Sequence, residues 1–127
     1  MRAIADTSVF IARESGRPFR GDAMPDEIVV SVVTVAELRL GVLNATDLRA
    51  RTRRLETLRL VESLEPLPID DAVAAAWANL VSALRAAKRK APVNDSWIAA
   101  TAIVHDVPLL TQDNDYDHMP DLTVIHL

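Results

Sequence analysis

An α/β domain with a mostly parallel sheet is the fold class this sequence predicts, on three observations. Short apolar runs alternate with longer segments of helical spacing along the whole chain. Ile28-Val29-Val30 is β-branched and unbroken by polar residues, the pattern of a strand buried on both faces. The 127 residues, half of them apolar, are enough for one domain with a real core.

Ala3–Ala5 reads as a short strand ending at Asp6, and Thr7–Arg13 as a short helix with Val9, Phe10 and Ile11 apolar. Residues 14–26 carry Gly16, Pro18, Gly21 and Pro25 and read as a loop. After the strand Ile28–Val30 comes a helix over Thr34–Leu43, where Thr34-x-x-Glu37 has the form of a capping box. Gly41 lies inside it, at a cost of about 1 kcal/mol relative to Ala. A close helix–helix or partner approach would account for that cost.

A second helix from about Asp47 to Leu64 carries Leu48, Leu55, Leu58, Val61 and Leu64 at helical spacing. Pro66–Ile69 is a short strand or extended connector. Asp70 or Asp71 then caps a long helix to about Arg89, with Val73, Trp77, Leu80, Val81 and Leu84 on one face. Pro92 breaks the chain, and Asn94 reads as the N-cap of a helix to about His105. Leu109–Thr111 and Thr123–His126 read as the last strands.

Composition excludes whole classes of function. There is no cysteine, hence no disulfide, thiolate nucleophile or zinc–thiolate site. No apolar run approaches the ~20 residues of a membrane span. The opening Met-Arg-Ala-Ile-Ala-Asp reads as a strand and lacks the apolar stretch of a signal peptide. A soluble cytoplasmic protein is expected. The net charge of −4 argues against a nonspecific nucleic-acid binder. Basic residues nevertheless crowd two segments, Arg49–Arg59 and Arg85–Lys90. They are solvated helix surfaces or, beside a phosphate-cleaving site, patches that steer a nucleic-acid backbone.

Acidic residues fall where predicted strands meet helices or loops: Asp6, Glu37, Asp95, and the pair Asp113 and Asp115. Each has a local account. Asp6 and Asp95 suit helix starts, Glu37 closes the capping box with Thr34, and Asp113 and Asp115 suit a turn. Capping does not explain why all of them map to one edge of a parallel sheet, where ligands and chemistry collect. Carboxylates gathered there repel one another unless a cation sits among them, and hard divalent ions prefer oxygen ligands. The hydroxyls of Thr7, Ser8 and Thr111 fall beside them and could hold a carboxylate or a water in place.

Other constellations fail. Asp113–Asp117 resembles the opening of a calcium loop, but His118 replaces its glycine and Val124 its closing glutamate. No dinucleotide or P-loop glycine motif is present. His105, His118 and His126 lack metal-ligand spacing, and Trp77 and Trp97 suit packing.

Taken together, four segments resemble the PIN-domain ribonucleases, and specifically the VapC-type toxins of bacterial toxin–antitoxin modules. They are Ile4-Ala-Asp6-Thr-Ser8, Ser31-Val-Val-Thr-Val-Ala-Glu37-Leu-x-x-Gly41, Asn94-Asp95-Ser-Trp-Ile-Ala-Ala-Thr-Ala and Leu109-Leu-Thr-Gln-Asp113-Asn-Asp115-Tyr116. The resemblance covers essentially the whole chain. It implies a three-layer α/β/α fold with about five strands. Asp6, Glu37 and Asp95 match the family's three core metal-binding acids. At the fourth position the family shows Thr-x-Asn/Asp and then Asp-Phe. Both Asp113 and Asp115 match, with fewer residues between them than usual and Tyr116 where Phe is common.

The expected function is therefore a Mg²⁺- or Mn²⁺-dependent endoribonuclease that arrests growth. The resemblance also implies an RNA substrate, a homodimer, and a VapB-type antitoxin whose tail occludes the site. Two rivals remain at this point. A receiver-like signalling domain also gathers carboxylates around Mg²⁺, but Asp6 stands alone after its strand and Lys88 and Lys90 lie on a helix. A non-catalytic binding module would use the acids only as caps.

Overall fold

The computed structural model describes residues 1–127. Strand β1 (Arg2–Ala5) leads into helix α1 (Thr7–Glu14), and a single 3₁₀ turn at Gly21–Ala23 precedes β2 (Glu27–Val29). Helices α2 (Val32–Leu43), α3 (Leu48–Glu62), α4 (Asp71–Ala86) and α5 (Val93–His105) follow in succession. Strands β3 (Leu109–Thr111) and β4 (Val124–His126) close the chain. All pairings are parallel and the sheet order is β2-β1-β3-β4. The sheet therefore has four strands, and the segment after α3 adds only a single parallel bridge, Leu67 to Ser31.

Strand residues alternate between two cores. Ile4, Val29 and Leu109 pack with Leu80 and Leu84 of α4 and Ile98 and Ala102 of α5. Ala3, Ala5, Val30 and Leu110 pack with Val9 and Phe10 of α1, Leu38 of α2 and Leu58 and Val61 of α3. Helices thus cover both faces, which is why Ala3, Ile4, Ala5, Leu109 and Leu110 are all fully buried. The result is a three-layer α/β/α domain. No helix is long and apolar enough to cross a membrane.

Caps set the helix starts and correct two sequence expectations. The N-cap of α2 is Ser31, whose hydroxyl accepts the N–H of Val33 at 3.0 Å. Thr34 is already inside the helix, fully buried, so it forms no capping box with Glu37. Helix α5 starts at Val93 after Pro92, not at Asn94; Pro at this boundary lacks an N–H that would need a partner. Asp95 is consequently the third residue of the helix. Asp70, not Asp71, caps α4 by accepting the N–H of Val73 at 3.0 Å, and Asp47 caps α3.

Chain direction produces the site. After β1 the connection crosses to β2 on one side, and after β3 it passes to β4 on the other. The adjacent C-terminal ends of β1 and β3 are therefore a topological switch point, where a crevice opens.

Gly41 meets α3 through its carbonyl, which accepts the Arg54 guanidinium at 2.7 Å. A Cβ built there would meet only Arg54 Cδ, at 3.9 Å, an ordinary contact. The α2–α3 approach therefore does not require glycine. Gly41→Ala should stabilise the isolated domain by up to about 1 kcal/mol, read as a higher urea midpoint with an unchanged slope.

Candidate active site

Asp6 sits at the switch point, immediately after β1, and is 2% exposed. Its Oδ1 accepts the backbone N–H of Ser8 at 3.1 Å and the Ser8 hydroxyl at 2.5 Å. Its Oδ2 accepts the Thr111 hydroxyl from the end of β3 at 3.0 Å. Asp6 thus caps α1 and also faces the crevice. Oδ2 has accepted one donor and keeps a lone pair for a ligand.

Thr111 in turn accepts the N–H of Asp113 at 3.1 Å, and Asp113 Oδ1 accepts the N–H of Asp115 at 3.1 Å. These two bonds fold the loop after β3 back over the strand ends. Ser8 fixes the same loop from the other side by accepting the N–H of Gln112 at 3.0 Å.

Asp95 enters from the first turn of α5, half-buried. Its Oδ1 accepts the hydroxyl of Tyr116 at 3.1 Å. Tyr116 is completely buried, and burial and the neighbouring Asp6 and Asp95 carboxylates push its ionisation far above the ordinary tyrosine range. The hydroxyl is therefore a permanent donor. Glu37 comes from the second turn of α2, and its Oε1 accepts the Thr7 hydroxyl at 2.6 Å. Thr7 is also 3.1 Å from the buried Thr34 hydroxyl, so Thr7 of α1 and Thr34 of α2 together hold this carboxylate.

The four aspartates sense one another. Burial raises Asp6 to about 6, and the charge of Asp113 adds to the rise. Burial likewise raises Asp95 to about 6, with further contributions from Asp113, Asp115 and Asp6. No Lys, Arg or His is ion-paired with Asp6, Glu37, Asp95, Asp113 or Asp115. Their side chains stand apart, so that no three of them close around one point. The donor set is all oxygen, carries several negative charges and has no positive partner, which fits a hard divalent cation.

All five acids expected from the sequence thus reach the same sheet edge. Asp6, Asp95, Asp113 and Asp115 form one electrostatic cluster, and Glu37 flanks it through Thr7. The tyrosine hydroxyl on Asp95 is the contribution the sequence reading missed. The only signal was a Tyr at a position where the resembled family carries Phe.

Residues 3–122 match the family model described as PIN domain. The chain is 59% identical to ribonuclease VapC4 of Mycobacterium tuberculosis, over 98% of this chain and 95% of that protein. It is 47% identical to ribonuclease VapC5 of the same organism, over 89% of this chain and 84% of that one. The structure superposes with a TM-score of 0.90 and 40% identity on a chain from the crystal structure of VapBC-5, a toxin–antitoxin family member from M. tuberculosis. That match covers 99% of this chain and 98% of the other.

Two predictions come from this geometry. Asp6 and Asp95 have folded pKa values above the ordinary 3.8, so the folded metal-free protein binds protons more tightly than the unfolded chain. Their contribution to stability is fully present below about pH 4 and is lost as pH rises through about 6. In EDTA the melting temperature should fall as pH rises from about 4 to about 7, Asp6 alone contributing on the order of 1–3 kcal/mol. Asp6→Asn should flatten that slope. Separately, Tyr116→Phe should change stability by only about 1 kcal/mol, yet weaken Mn²⁺ binding about tenfold by calorimetry. Unchanged Mn²⁺ affinity would make the hydroxyl a packing detail.

Proposed function

The chain belongs to the PIN-domain family, among its VapC ribonucleases, and we propose that it is a Mg²⁺- or Mn²⁺-dependent endoribonuclease acting as a growth-arresting toxin. One observation carries the reading. Of four aspartates at one sheet edge, Asp6 and Asp95 have their pKa values raised by burial and by the others' charges with no cation of the protein's own, in a chain that is 59% identical to a VapC ribonuclease.

In this reading Asp6 and Asp95 are the direct ligands, Asp113 and Asp115 complete the shell, and Glu37 ligates or orients the attacking water. A bound divalent ion supplies activation of water and neutralisation of charge for in-line displacement at phosphorus. The protein's own contribution is alignment. Ser8 and Thr111 hold one oxygen each of the Asp6 carboxylate. Tyr116 fixes Asp95 from the opposite side. Thr7 leaves the second oxygen of Glu37 free of the helix end. Asp6 and Tyr116 take part in this alignment from buried positions.

Regulation in this reading comes from a VapB-type antitoxin, consistent with the VapBC assembly among the structural neighbours. A groove of about 540 Å³ opens beside Glu37, between Ile11 and Glu14 of α1, Leu40 and Gly41 of α2, and Arg54 of α3. Ile11 and Leu40 are 45% and 57% exposed in the isolated chain, apolar surface that an antitoxin segment would cover. The working unit is a homodimer in the cytoplasm, and the substrate is cellular RNA.

Cleavage of RNA by purified wild type and Glu37→Gln in Mg²⁺, with melting temperature as the folding control, tests the mechanism. Glutamine keeps the shape and removes the anionic oxygen, so cleavage should drop by roughly 10–100-fold or more at unchanged stability. Equal rates at equal stability would remove Glu37 from the site. Expression alone should arrest growth, and Asp6→Asn, which can still cap α1, should relieve the arrest.

A further inference from the structure

A second groove, of about 440 Å³, adjoins the acids on the side away from Glu37. One wall is the loop after β3, with Asn114, Asp115 and His118. The other is the end of α4, with Lys88, Arg89 and Lys90. The three basic residues are exposed, and none of them has an ion-pair or side-chain hydrogen-bond partner.

The backbone that carries them is fixed. The N–H of Arg89 bonds to the carbonyl of Leu84 at 2.8 Å, and that of Lys88 to the carbonyl of Arg85 at 3.0 Å. This is the paired closure of a helix end in which the residue after the cap is left-handed. Lys88 is that residue, with φ 57°. Glycine adopts this conformation freely and a lysine only at a cost. Attraction of cations to the C-terminal end of a helix accounts for a basic residue near the turn. It does not account for three in a row on a wall facing the loop that carries Asp113 and Asp115.

We propose that this groove is a phosphate-binding subsite for the single-stranded RNA backbone flanking the scissile bond, with Lys88, Arg89 and Lys90 as its cations. The inference rests on the ribonuclease reading. The groove is lined by Asp115 on one side and by these cations on the other, so a strand with its reacting phosphate at the aspartates runs its next phosphates along these side chains. Arg89 offers a fork to phosphate oxygens, and the two lysines offer mobile point charges. In a chain of net charge −4, such a local wall decides where a polyanion lands.

The test measures binding of a fluorescein-labelled single-stranded RNA by anisotropy across a salt series, in an Asp6→Asn background that suppresses cleavage. Replacing the three cations (Lys88→Gly, Arg89→Gln, Lys90→Gln) should weaken binding at least tenfold. It should also lower the slope of log affinity against log salt by about 2, from roughly 0.7 per lost phosphate contact. A matched triple on α3 (Arg49→Gln, Arg51→Gln, Arg59→Gln) should leave the slope near its starting value. Equal losses in both triples would mean a general field and no subsite.

Lys88→Gly alone separates binding from folding. It relieves the left-handed turn, so it should melt no lower than its parent while RNA affinity falls several-fold. A higher melting temperature with unchanged RNA affinity would leave the helix end as the residue's only role and overturn the proposal. If wild type cleaves RNA while the basic triple binds like its parent, the subsite falls and the ribonuclease reading stands. If wild type neither binds nor cleaves RNA, both fall.

Discussion

The burial of the Asp6 carboxylate at the end of the central strand is the constraint on which the rest of the site depends. Removing a carboxylate from water is unfavourable unless donors replace the lost hydration. Here the replacements come from Ser8 on α1 and Thr111 on β3. The same three bonds therefore start α1 and tie it to β3. Oδ2, with a single donor, keeps a lone pair for a further ligand. Fold and chemistry share this residue, so its capping role and its site role are not alternatives.

The second constraint is that strands β1 and β3 must lie side by side with helices on both faces. Small residues make this possible. Ala3, Ala5, Ala99 and Ala102 are fully buried and let the helices approach the sheet closely. Larger residues, Ile4, Leu109, Phe10 and Leu110, fill each core in alternation. Each buried large aliphatic or aromatic side chain contributes about 1.5–3 kcal/mol. That apolar packing offsets the repulsion among aspartates that no basic side chain neutralises. A crevice of like charges can persist only on a scaffold whose stability comes from elsewhere.

Much of this was legible in the sequence, and the reasons are local. The strand Ile28–Val30 could be read because two-sided burial leaves an unbroken apolar run. Asp6 could be read because strand, acid and hydroxyl follow one another directly. Asp95 could be placed on α5, though two residues off in register, because Pro92 rather than Asn94 opens that helix. Glu37 was ambiguous because Thr34-x-x-Glu37 has the form of a capping box, and only the position of Ser31 shows that the helix starts a turn earlier. Leu67 could not be placed from local pattern, since its single bridge to Ser31 depends on where α3 ends. The bond from Tyr116 to Asp95 joins residues 21 apart through a folded loop, which no periodicity reports. Between a receiver-like domain, a binding module and a nuclease, carboxylates at strand ends could not decide. The PIN-domain match over residues 3–122 does.

The uncompensated charge also links activity to control. Asp6 and Asp95 are raised because burial, and to a lesser extent neighbouring carboxylates, disfavour their ionised forms. Any positive group that enters the crevice lowers that cost, and the geometry does not distinguish a metal ion from a partner's basic side chain. In the proposed nuclease reading, a divalent cation would organise the acids for catalysis. An antitoxin tail that carried an Arg or Lys into the same space would satisfy the same charge and exclude the metal. Inhibitor and cofactor would then compete for one electrostatic deficit, and each would stabilise the fold by binding only its native state. In this reading, the absence of a basic residue of the chain's own among Asp6, Asp95, Asp113 and Asp115 makes a single site both catalytic and controllable.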